Sequence, residues 1–339
     1  MPKLRHWLGA ALVLVACGSS GGGGGSPGDG GGNPPDAGPP VTPVAPGWEA
    51  LRQVPVGLGE SAMAAANGKL YVLGGYDTAR TVEIYDIAAD SWSGGPLLPG
   101  GTDNAGAVVA NGKVYLFGGE ATPRVQILDL GAGTWSDGPA LPSPRFSSVV
   151  ELVGSEVHLV GGWSFDRSNN VSLASHTVFD LGSGSYLGTP HAPLQTARNH
   201  AYSGVIDGKI YVTGGRAPGH EGDDGSNLAT TEVYDPATDT WSPLADLPTP
   251  RSGGASAVLG GKLYVMGGQL PGNTLYKAVH RFDPDGGVWE TLGDMPIELT
   301  GHRALAVGNV IYVVGGFATR NGQRLGFSGV PYLWRYTPP

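Results

Sequence analysis

The chain has 339 residues, 40% hydrophobic and only 14% charged, enough apolar side chains for one large domain or two small ones. Its formal net charge of −9 argues against nonspecific nucleic-acid binding, which needs a basic face. Cys17 is the only cysteine, so no intramolecular disulfide forms; with no Walker loop, zinc-type spacing or G-x-G-x-x-G fingerprint, no cofactor or metal is expected.

At the N-terminus, Lys3 and Arg5 precede an apolar run from Trp7 to Ala16, too short to cross a bilayer as a mature helix. Leu14-Val15-Ala16-Cys17 at its end resembles a bacterial lipobox. That resemblance implies a signal peptide over residues 1–16 and a lipid on Cys17. The alternative is a plain secretory peptide cut near Ala16. Residues 17–47 hold the cysteine and a stretch rich in Gly, Pro and Ser, with too little apolar surface to offset ordering entropy, so they are expected to be a disordered tether. The implied location is the bacterial cell envelope, lipid-anchored at the outer membrane.

From residue 48 to 339 the sequence repeats. Glycine pairs stand at 74–75, 118–119, 161–162, 214–215, 267–268 and 315–316, with periods of 43 to 53 residues. Each follows an apolar run such as "KLYVL" or "KVYLF", which is expected to be a buried strand. Before four of these runs stand Asn67-Gly68, Asn111-Gly112, Asp207-Gly208 and Gly260-Gly261, turn dipeptides of type I′ hairpins. The upstream hairpin strands are built of small residues, as in "SAMAAA" and "GGASAV", which suits the crowded inner strand of a radial blade. A third strand ends in Tyr85-Asp86, Leu128-Asp129, Phe179-Asp180, Tyr234-Asp235 or Phe282-Asp283. Six residues after each Asp come Trp92, Trp135, Tyr186, Trp241 and Trp289, each opening a fourth strand.

The glycine pairs, the aromatic–Asp step and the spaced Trp, recurring in register, resemble Kelch repeats. The resemblance implies an all-β, six-bladed Kelch-type β-propeller over residues 48–339. "YLWRYTPP" supplies a third strand with no fourth, and "WEALRQVP" a fourth strand with nothing before it. The last blade is therefore expected to be closed by the N-terminal strand. Kelch propellers serve mostly as binding or scaffold modules, so a membrane-anchored monomer holding a protein or glycan ligand is the expectation. A carbohydrate-active enzyme of the sialic-acid mutarotase type is the alternative. Galactose oxidase chemistry is excluded, because it needs a cysteine–tyrosine crosslink and Cys17 lies outside the propeller.

Length variation concentrates in the loops after the glycines, which marks one face for binding. Sixteen residues before each first glycine stand Leu58, Thr102, Arg145, Arg198, Arg251 and Leu299. Three successive arginines in one register are expected to converge at the channel mouth, where comparable Kelch arginines contact carboxylates. The competing expectation is that each packs on prolines or pairs with a loop acid. Tyr76, Trp163, Arg216 and Phe317 directly follow glycine pairs and join the candidate ligand-binding set. Glu60, His200 and His302 stand early in inner strands and are candidate acid–base groups for the enzyme alternative. "HEGDD", His220–Asp224, lacks the ligand spacing of a cation loop.

Overall fold

A computed structural model describes residues 45–339 apart from 77, 120–121, 167–168, 218–226, 271, 273, 321–322 and 325–328. The expected signal peptide, Cys17, the tether as far as residue 44 and the segment His220–Asp224 lie outside the described residues.

Among the described residues there are six four-stranded antiparallel sheets and no α-helix, the blades of a six-bladed propeller. Their inner strands are Ala62–Ala66, Gly106–Ala110, Val149–Val153, Tyr202–Ile206, Ala255–Leu259 and Arg303–Val307. These line a central channel. The four turn dipeptides have positive φ at both residues, as type I′ turns require. Crowding accounts for the small inner residues: a Cβ on Gly106 would lie 2.2 Å from Val150, and one on Gly204 2.3 Å from Val258.

The last blade runs Arg303–Val307, Val310–Val314, Leu333–Tyr336, then Trp48–Ala50. Trp48 pairs with Tyr336 and stacks on its ring at 4.5 Å. The first described strand thus closes the ring and covers an edge that would otherwise be open.

The repeated glycines have a packing cause. Each first glycine has φ between 57° and 68°, and a Cβ there would lie 2.3–2.9 Å from the carbonyl of Leu58, Thr102, Arg145, Arg198, Arg251 or Leu299. Only a residue without a side chain lets the next blade's entry segment come that close. The spaced tryptophans tie successive blades together. Indole N–H groups of Trp92, Trp135, Trp241 and Trp289 donate to Arg52, Pro96, Ala192 and Ala245 carbonyls at 2.8–2.9 Å. Tyr186, the departure from Trp, reproduces this with its hydroxyl, donating to Pro139 O at 3.1 Å. Each apolar cluster joins neighbouring blades; one packs Tyr71 and Leu73 with Val114 and Leu116. The core is therefore a set of interblade seams around the channel.

Candidate functional site

Two residues past Leu58, Thr102, Arg145, Arg198, Arg251 and Leu299 comes a second repeated position: Glu60, Asn104, Ser147, His200, Gly253 and Gly301. All six have left-handed φ, between 50° and 69°. Their backbones form a closed ring of hydrogen bonds. Asn104 N donates to Glu60 O at 2.7 Å, Ser147 N to Asn104 O at 2.9 Å and His200 N to Ser147 O at 3.1 Å. Gly253 N donates to His200 O at 3.0 Å, Gly301 N to Gly253 O at 2.6 Å and Glu60 N to Gly301 O at 2.7 Å. The ring satisfies these backbone groups and leaves the side chains to the channel. For Glu60, Ser147 and His200 a left-handed backbone costs about 1–2 kcal/mol each, strain of a kind that clusters at functional positions.

The channel has a volume of about 570 Å³, and its lining includes Glu60, Asn104, Ser147, His200, Arg216, Gln269, Arg303 and Glu151. His200 is held by a directed network. Asn199 Nδ2 donates to Ser172 Oγ at 2.7 Å, which turns Asn199 Oδ1 toward His200 Nδ1, 2.5 Å away. An amide oxygen accepts only, so Nδ1 carries a hydrogen, and in the neutral ring Nε2 accepts from the Ser147 hydroxyl at 2.9 Å. Arg216 donates from Nε to Asn199 Oδ1 at 3.2 Å and places Nη2 3.2 Å from both His200 ring nitrogens. Across the ring, Arg303 Nε donates to Ser61 O at 2.5 Å. Burial pushes the Arg303 guanidinium pKa down, and the Glu60 and Asp103 carboxylates oppose that shift. Guanidinium, imidazole, hydroxyl and carboxylate groups thus meet at one channel end. Together they can hold an anionic, hydroxylated group and exchange a proton with it.

The arginine register differs from the expectation. Arg145, Arg198 and Arg251 do not converge; they are 3%, 1% and 0% exposed, the first two held within their own blades and Arg251 at the seam with the fourth, and none lines the channel. Arg198 donates to Gly214 O and Thr230 O at 2.9 and 2.8 Å and to Glu232 Oε1 at 2.5 Å. Its partner acid stands on a strand, not in a loop. Arg145 meets Ser143 and Thr177 hydroxyls at 3.1 and 3.3 Å. Arg251 donates to Val265 O at 3.2 Å and lies 5.2 and 5.8 Å from the Tyr276 and Tyr202 rings. At this register the backbone is bound to the preceding blade's glycine pair, so the side chain turns into the blade.

The loop residues divide as well. Tyr76 is 48% exposed beside the ring, its N–H on Gly59 O at 2.9 Å. Phe317 is buried under the ring, and Trp163 is buried edge-on to Phe146 at 4.5 Å. His302 follows the ring position by one residue and lies away from the channel; burial lowers its pKa to about 3. Sequence reasoning found Glu60 and His200 but missed Asn104, Ser147, Arg303 and Glu151. A count of fourteen rather than sixteen residues before each first glycine finds the ring.

Among known proteins, residues 187–316 match the KLHDC2/KLHL20/DRC7 Kelch-repeats domain family, and residues 59–96 match the Kelch motif. A stretch of 69 residues is 41% identical to "Kelch-like protein terF" of Aspergillus terreus. That match spans 20% of this chain and only 15% of that protein's length. The solved structure titled "Structure of YjhT" superposes with a TM-score of 0.71 at 16% identity, over 84% of this chain and 95% of that one, which shows a shared fold. This chain is a six-bladed β-propeller that carries Kelch repeats over residues 59–96 and 187–316.

Proposed function

We propose that this propeller is a binding module for a carboxylate-bearing ligand, an acidic glycan or peptide, taken at the channel end that carries Arg216, Arg303 and His200. What supports this is the placement of Arg216 against His200 at the strained backbone ring, with Tyr76 exposed beside it as an aromatic wall. Titration of the full chain with N-acetylneuraminic acid and with acidic peptides, followed by calorimetry, tests it. R216M is expected to weaken binding by roughly 10–100-fold, the loss of one charge-assisted contact. Unchanged affinity in R216M would remove Arg216 from the site.

A second function, sugar-acid isomerisation of the mutarotase type, is favoured by the Ser147–His200 contact. An imidazole nitrogen that accepts from a hydroxyl at 2.9 Å, beside an anion-holding arginine, is placed to move a proton on a sugar hydroxyl. Anomer ratios of α-sialic acid followed by NMR separate the two. An isomerase speeds equilibration, and H200Q slows it without matching loss of affinity; a binding module leaves the rate unchanged.

Cys17 is proposed as the lipid-carrying residue that tethers the propeller to the envelope membrane, supported by Leu14-Val15-Ala16-Cys17 and the polar stretch that follows. Mass spectrometry of the N-terminal peptide is expected to show acylated Cys17, and C17A to release the protein from membranes. An unmodified Cys17 in the wild-type protein rejects the anchor.

A further inference from the structure

The six repeats provide an internal comparison. At the middle of the second strand five blades carry tyrosine, namely Tyr71, Tyr115, Tyr211, Tyr264 and Tyr312; the third carries His158. Its cross-strand partner is Ala64, Val108, Gly204, Ala257 or Leu305 in those blades, but Glu151 in the third. At the third-strand position paired with the residue before the glycines, others carry Val82, Val125, Thr231, Val279 or Leu333; the third carries His176. All three departures meet the fourth blade.

They form a polar run across that seam. In the channel wall, Ser203 Oγ donates to Glu151 Oε1 at 2.7 Å. His158 Nδ1 lies 2.9 Å from His176 Nε2, and His176 Nδ1 lies 3.3 Å from the Ala192 carbonyl. A carbonyl only accepts, so His176 Nδ1 carries its hydrogen and Nε2 accepts from His158 Nδ1–H. His158 Nε2 then faces the Glu156 carboxylate, 3.7 Å away. The His191 ring lies 5.3 Å from His176 and 3.5 Å from Asp239, which also accepts from Tyr234 OH at 2.7 Å. Tyr234 and Trp241 of the fourth blade pack on His176, with ring centroids 4.6 and 6.0 Å away.

We propose that the seam between the third and fourth blades is an acid-sensitive joint of the ring. A first proton, on His158 Nε2, is met by Glu156. A second, on His176 Nε2, sets N–H against N–H inside the third blade and puts a charge on the ring packed against Tyr234 and Trp241 of the fourth, and relief of that buried charge parts the two blades. Because Glu151 lines the channel, opening this seam also reshapes the channel wall. That consequence rests on the binding function proposed above, whereas the joint itself does not.

The linked equilibria have opposite signs. Burial, with neighbouring histidine charge, lowers His158 to about 4 and His176 to about 3 from 6.5. The closed seam therefore holds fewer protons there, and each histidine raises the opening constant about tenfold per pH unit as pH falls below 6.5. Glu151 is raised to about 7 by burial, so it keeps its proton in the closed seam and opposes opening as pH falls from about 7 to 4.5. Between about pH 6.5 and 4.5 the two histidines against one carboxyl leave a net increase of about tenfold per pH unit.

Hydrogen exchange of the full chain at about pH 7.5 and pH 5, corrected for the intrinsic rate, reads this strand by strand. Acid is expected to deprotect Glu156–Val160, His176–Asp180 and Thr231–Asp235 while Lys69–Leu73 and Lys113–Phe117 stay protected. H158Y/H176V restores residues found at these positions in other blades and is expected to abolish or reverse the acid response. H176V alone removes the second proton and is the fallback if the double variant fails to fold. His280 and His302 are also buried, with pKa values lowered to about 4 and about 3, in the fifth and sixth blades. Acid loss centred on those blades, loss spread evenly over the ring, or a third–fourth response unchanged by the substitutions overturns the proposal. No ligand enters the measurement, so a failed binding experiment leaves its outcome independent.

Discussion

Replacing Arg198 by methionine is expected to destabilise the fold by about 3–5 kcal/mol, with ligand affinity unchanged. Glu232 is 2% exposed and accepts from Arg198, Gln195 N and Thr196 N at 2.5, 2.7 and 3.2 Å. Removing the guanidinium leaves a carboxylate buried with two backbone donors and no counter-charge. The double variant R198M/E232L should recover most of the loss, because it removes both desolvated charges together. R251M makes the contrast. Arg251 has no carboxylate partner among the described residues, so its loss is expected to be within about 1 kcal/mol of neutral. Urea unfolding of the four proteins measures this. An R198M protein as stable as wild type, but unable to bind acidic ligand, would return Arg198 to the ligand site.

The closing strand carries the second large effect. Trp48 is 6% exposed, stacks on Tyr336 and begins the outer strand of the sixth blade. W48A is expected to cost about 3–5 kcal/mol, as for other buried aromatic truncations. At roughly 2–4 °C per kcal/mol for a large domain, Tm falls by on the order of 10 °C. Deleting residues 48–55 removes the strand and buried Val54 as well, and exposes the Leu333–Tyr336 edge. Aggregation or loss of a cooperative transition is expected. Deleting residues 18–44 should leave the melting curve unchanged. Equal curves for the two deletions would show that the ring does not depend on this closure.

The repeat determined the architecture without help from the coordinates. Blade number, hairpin turns, glycine pairs and the shared last blade all follow from local features recurring in register. Positive φ, small inner residues and a tryptophan at constant offset are demands that each blade makes separately, so each is written beside the strand it serves. Side-chain direction at the blade entrance is different. Arg198 and His200 are two residues apart, yet one is sealed against Glu232 and the other lines the channel. That choice is made by contacts with the preceding blade: the Arg198 carbonyl is held by Gly162 N–H at 2.8 Å, and His200 N–H reaches Ser147 O at 3.1 Å. Glu232 was hidden for the same reason. It stands 34 positions from Arg198, and only the folded sheet brings the two together. Local periodicity carried the fold; the candidate site depends on hydrogen bonds between blades, whose partners no local pattern names.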